Sequence, residues 1–176
     1  MNIIKKEKLF QFLKAESIIK EINNNFVEIE EHNTNGLEKV KIINLNEDSK
    51  YWLLNTENNT FIESKKRKVE KILLEYTNDK KLNIYLIELK SKTFTNSEIK
   101  EKFQHSFSWV YLLLNLLDDK EEQNYNVYGV LFHQKNRFND WNTTDTLNVL
   151  SSLAIRYKKI SFFCDDNYRE ISLNEI

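Results

Sequence analysis

Glu88 and Lys90 close the apolar run Leu82-Asn83-Ile84-Tyr85-Leu86-Ile87 and stand two residues apart. Side chains alternate along a strand, so the two share one face with Leu82, Ile84 and Leu86. A carboxylate and an ammonium ending such an inward-facing row are costly unless paired or put to use. A second acid, Glu70, stands near the start of the preceding apolar segment, Val69 to Tyr76. Two carboxylates and a lysine on neighbouring strands are the minimal kit for metal-assisted phosphodiester hydrolysis. The acids hold a divalent cation, and the lysine positions or activates water. For Glu70, flanked by Lys68 and Lys71, a plain cross-strand ion pair is the competing reading.

The elements that must position these groups follow from periodicity. Lys68 to Tyr76 and Leu82 to Lys90 read as a hairpin of inner strands, apolar on both faces toward their middles, joined by Thr77-Asn78-Asp79-Lys80-Lys81. Thr95-Asn96-Ser97-Glu98 has the capping-box pattern and opens a helix to Leu117. Along it Ile99, Phe103, Phe107, Val110, Leu114 and Leu117 recur at steps of three and four, and Phe103, Phe107, Val110 and Leu114 are expected to be almost fully buried. Val127 to His133 reads as a further inner strand, Phe138 to Thr144 as a loop around Trp141, and Asp145 to Tyr157 as a short helix. Lys159 to Cys164 reads as a last strand, followed by a polar tail.

Upstream, Lys5 to Ile22 reads as one helix with Leu9, Phe12, Leu13 and Ile19 on a face that also carries Glu16. Glu16 is then either a group aimed at a cleft or the partner of Lys20 one turn later. Val40 to Leu45 and Tyr51 to Leu54 are strand-like, with Phe61-Ile62 as a third short piece. The fold class is therefore mixed α/β. An antiparallel meander is followed by a crossover helix that returns a parallel strand.

At 176 residues the chain suits a single domain with a real core, and no linker or repeat divides it. Two glycines and no proline leave tight turns to Asn, Asp and Ser, and exclude a Gly-rich phosphate loop. A net charge of −1 means that a nucleic-acid partner would be held by a local patch or by metal. Lys65-Lys66-Arg67-Lys68 is the clearest patch, placed directly before Glu70, although a charge run is usually a solvated edge. Cys164 is the only cysteine and reads as a buried thiol; His32, His105 and His133 show no ligand spacing. No stretch is apolar enough for a signal peptide or a membrane span, so a cytoplasmic location is the expectation.

An acid near the start of one strand, a hairpin, a strand ending acid-x-Lys, then a helix and another strand resembles the PD-(D/E)XK nuclease superfamily. The likeness covers Lys65 to Gln134. Glu88-Leu89-Lys90 matches the (D/E)XK half, whereas Val69-Glu70 replaces the usual Pro-Asp. The resemblance implies a restriction-endonuclease-like αβββαβ core around a central mixed sheet. It implies a Mg²⁺ (or Mn²⁺) ion held by Glu70, Glu88 and the carbonyl of Leu89, with Glu16 as a further ligand. Lys90 would be catalytic and Gln104 a candidate accessory residue. Lys65, Lys66 and Arg67 would contact phosphates. Nucleic acid, DNA ahead of RNA, is the implied partner, and a homodimer would suit cutting of both strands. A non-catalytic nucleic-acid- or protein-binding module on the same fold is the alternative, in which Glu70 and Glu88 are remnants.

Overall fold

The computed structural model describes residues 11–16, 18–30, 39–56, 68–79, 81–90, 95–117, 125–133, 157–164 and 170–176. Nine strands lie among these: β1 (Ile19–Ile22), β2 (Val27–Glu30), β3 (Lys39–Ile43), β4 (Lys50–Asn55), β5 (Lys71–Tyr76), β6 (Leu82–Lys90), β7 (Tyr125–His133), β8 (Tyr157–Cys164) and β9 (Glu170–Ser172). Residues 11–15 are helical (α1), and Asn96–Leu117 forms the long helix α2. No helix among the described residues is long and apolar enough to cross a membrane.

The architecture is mixed α/β and mostly sheet. A six-stranded sheet has the order β1-β4-β5-β6-β7-β8, and β2-β3-β9 form a smaller second sheet. β4, β5 and β6 are an antiparallel meander, while β6, β7 and β8 run parallel. A parallel neighbour needs a crossover connection, and α2 lies in the one between β6 and β7.

β6 is buried at seven of its nine positions, six of them consecutive, as an inner strand with both faces covered must be. On one face Ile72, Leu74, Ile84, Leu86 and Leu131 pack with Ile99, Phe103, Trp109 and Val110 of α2 and with Leu13 of α1. On the other face Leu73, Ile87, Leu89, Val130 and Phe132 meet Ile29, Val40, Ile42 and Ile171 of the small sheet. The large sheet is thus the middle of three layers.

Several expectations change. The first helix does not reach Ile22: the last helical bond is Glu16 N–H to the Phe12 carbonyl, Ile18 N–H closes back on Leu13, and the chain enters β1. β-Branched Ile18 and Ile19 favour an extended chain, and pairing of β1 with β4 outweighs the helical period that also fits these positions. Lys20, now on a strand, is no helical partner for Glu16, and Phe12 is 44 % exposed. The polar tail proves structured. Ile171 pairs with Ile42, and Ile171, Leu173 and Ile176 fill the second core. Tyr157 belongs to β8 rather than to a preceding helix. Phe61-Ile62, the loop around Trp141 and the helix expected at 145–156 lie outside the described residues, as do the side chains of Leu114, His133 and Cys164.

The turn chemistry is as expected of a glycine-poor chain. Asn44 takes a φ of 57°, the left-handed region that asparagine tolerates best after glycine. Thr95 caps α2 by accepting the Glu98 N–H at 3.2 Å. Thr95→Ala is expected to lower stability by about 1 kcal/mol in urea unfolding, the usual value of an N-cap hydroxyl. An unchanged midpoint would show that this end of α2 is held by tertiary contacts alone.

Candidate active site

Glu88 is fully buried near the end of β6, and Glu70 lies one residue before β5. β5 and β6 pair with Lys71 opposite Ile87, so the next step of the ladder brings Glu70 to Glu88. The Glu70 segment is fastened from two directions. Ser106 on α2 accepts the Val69 N–H at 2.9 Å, and the Thr56 hydroxyl reaches the carbonyls of Val69 and Glu70 at 2.5 and 2.8 Å.

Between the two acids stands a group that the strand pattern did not reveal. The Lys102 ammonium donates to Glu88 Oε1 at 2.5 Å and lies 3.4 Å from Glu70 Oε1. Lys90 Nζ is 3.3 Å from Glu88 Oε1 and 3.0 Å from Glu98 Oε1. Three carboxylates and two ammoniums, drawn from the hairpin and from the first turns of α2, thus form one partly buried network. Lys102 could have been found. At 100° per residue it falls on the arc of α2 between Ser106 and Trp109, inside the sheet-facing stripe, where a lysine needs a partner. Glu98 had been legible only as a capping residue.

Burial pushes the Glu88 carboxyl up to about 7, against the pull of Lys102 and Lys90. Burial also works against the charge of Lys90, but Glu88 and the hydrogen bond to Glu98 outweigh it, and its pKa is raised. Burial alone lowers that of Lys68.

A second buried acid supplies a contrast. Glu75, on the opposite face of the sheet, accepts from Tyr51 Oη at 2.6 Å, Asn83 Nδ2 at 2.7 Å and Tyr85 Oη at 2.8 Å. Both its oxygens are satisfied, and Tyr85 stacks on Tyr128 with ring centroids 4.7 Å apart. Tyr85 is thereby committed to the core. Glu88 differs: its Oε2 is buried with no hydrogen-bond partner among the described residues. Native structures seldom leave a buried carboxylate oxygen unmatched, and a site for a further cation or donor is one of the few reasons to do so.

Of the other sequence candidates, Leu89 places its side chain in the core between the sheets. Glu16 is half-buried directly after α1. Because the Ile18 carbonyl accepts from Asn55, and Asn55 pairs with Lys71, this turn lies at the same end of the sheet as Glu70. Gln104 is exposed, two residues from Lys102 and so on the other side of α2. Lys65, Lys66 and Arg67 lie outside the described residues. Among the described residues no group of three His, Cys, Asp or Glu side chains is arranged around a single point as metal ligands. His105 lies 3.9 Å from Glu101 on the same helix.

Comparison with family models, with curated proteins and with solved structures finds no match to this chain. The chemistry of the site must therefore be read from its own residues.

Proposed function

We propose that this chain is a metal-dependent nuclease that hydrolyses phosphodiester bonds, with DNA the preferred nucleic acid, and that its frame is a restriction-endonuclease-like core. The observation that carries the reading is the convergence of Glu70 and Glu88 on one cationic nitrogen, beside Lys90, with Glu88 Oε2 left unmatched. The order α1, β4, β5, β6, α2, β7 supports the αβββαβ core: an antiparallel meander, then a helix, then a parallel strand.

The donor set suits a hard divalent cation. Mg²⁺ takes oxygen ligands, needs few carboxylates and keeps several waters. Glu70 and Glu88 would hold it, with the Leu89 carbonyl and Glu16 as further donors, and it would supply Lewis acidity toward the phosphodiester. Lys90, held by Glu88 and Glu98, orients the attacking water and stabilises charge developing on the phosphate. The basic run at 65–67 precedes Glu70 and would bear on the phosphate backbone without reading sequence.

A second reading is a non-catalytic binding module on the same frame. Lys102 favours it, because its ammonium already stands between the two acids as their counter-ion. The separating experiment incubates plasmid and single-stranded DNA with the protein and Mg²⁺ or Mn²⁺. Cleavage that disappears in Lys90→Ala, with the variant still folded by circular dichroism, supports the nuclease. DNA binding without cleavage supports the module. Absence of both removes nucleic acid as the partner.

A further inference from the structure

We infer that Lys102 is a built-in counter-ion that keeps the Glu70–Glu88 pair closed to divalent metal until an anionic nucleic acid draws its side chain away. The inference rests on the nuclease reading and concerns how that same site is regulated.

Lys102 is only 9 % exposed, and its ammonium stands where both carboxylates can reach it. A divalent ion bound by Glu70 and Glu88 must occupy much the same space. Leaving Lys102 in place would set its charge against the ion within contact distance, with Lys90 close by at the same Glu88 oxygen. In a buried setting such like-charge contact is strongly unfavourable. Metal and the Lys102 ammonium are therefore alternatives.

Exchange needs no movement of α2. Lysine carries its charge on a flexible four-carbon stem, so the ammonium can leave while the backbone stays packed. The backbone is well anchored: Ile99 and Phe103, flanking Lys102 on α2, are fully buried. A lysine pulled from two carboxylates needs another anion, and a phosphate group is the anion that the proposed substrate brings. Lys102 then becomes a phosphate contact, and the acids, including the unmatched Glu88 Oε2, are released to the metal. Metal and nucleic acid would bind cooperatively, each removing a cost that the other would otherwise meet. Lys102 acts here as a positioning residue and not as a group that touches the reacting atoms.

The test measures Mn²⁺ binding by titration calorimetry, and by the electron paramagnetic resonance signal of free Mn²⁺. A phosphorothioate duplex that resists cleavage supplies the anion. Wild-type protein is expected to bind Mn²⁺ weakly alone and at least about tenfold more tightly with the duplex, the size of an ordinary allosteric coupling. Lys102→Gln is expected to bind Mn²⁺ tightly without duplex and to lose most of the coupling. Lys102→Arg keeps the charge and should stay weak alone. If wild type and Lys102→Gln bind Mn²⁺ equally and the duplex changes neither, Lys102 is no gate, although the nuclease reading stands. If no form binds Mn²⁺ with or without duplex, the nuclease reading falls and the gate with it. Should Lys102→Gln fail to fold, the wild-type comparison decides, since Mn²⁺ binding indifferent to the duplex overturns the inference.

Discussion

Phe103→Ala is expected to destabilise the protein by about 3–5 kcal/mol, the range for removing a large aromatic from a well-packed core. Phe103 is fully buried and among the largest side chains that are. It belongs to the cluster that joins α2 to Ile72, Leu74, Ile84 and Leu86, so its loss opens a void at the main contact between helix and sheet. Phe107→Ala should cost clearly less. The sequence periodicity places Phe107 on the same buried face, but the structure leaves it only partly buried at the margin, against the rings of Tyr111 and Tyr125. Urea unfolding of both variants checks the order. A Phe103→Ala loss below about 1 kcal/mol would mean that α2 does not rest on the sheet through this residue.

The second large effect is a dependence on pH that belongs to one residue. Glu88 ionises in the folded protein near pH 7, against an ordinary value of 4.5. Between those values the folded chain keeps the proton and the unfolded chain releases it. Stability therefore falls as pH rises. The Glu88 contribution is complete below its unfolded value of 4.5 and lost once pH passes the folded value near 7. At about 1.4 kcal/mol per unit of pKa, the change is on the order of 3 kcal/mol. In Glu88→Gln this component is absent. The measurement is the unfolding free energy of both proteins in metal-free buffer at steps across that window, where other titrating groups cancel in the difference. Parallel curves would show that Lys102 and Lys90 fully offset the burial of Glu88.

Both predictions depend on features of unequal visibility in the sequence. The hairpin, α2 and the strand after it follow from local pattern: alternation, a three-to-four step and a capping Thr95. These signals are strong because each is complete within one continuous stretch of chain. The nearness of Glu70, Glu88 and Lys90 follows too, since hairpin pairing and a two-residue period are short-range rules.

Other features required the tertiary contacts. Ile18 and Ile19 fit a helical stripe and a strand equally well, and only β4, far along the chain, settles the matter by offering an edge to pair with. Ile171, Leu173 and Ile176 look like part of a polar tail because their polar neighbours dominate the composition. Pairing with β3 turns Ile171 inward, and the 3-10 turn at Leu173–Glu175 that follows brings Leu173 and Ile176 into the same core. The two buried acids make the distinction sharpest. Glu75 and Glu88 are similar residues on adjacent apolar strands, on opposite faces of one sheet. Tyr51, Asn83 and Tyr85 satisfy the first completely. The second meets Lys102, brought in by α2 from fourteen residues away, and keeps one oxygen unmatched. Residue types and spacing determine that carboxylates stand at these positions. Which of them is fully satisfied and which keeps an oxygen unmatched depends on partners from other elements, because the free energy of a buried charge is set by the groups that surround it in space.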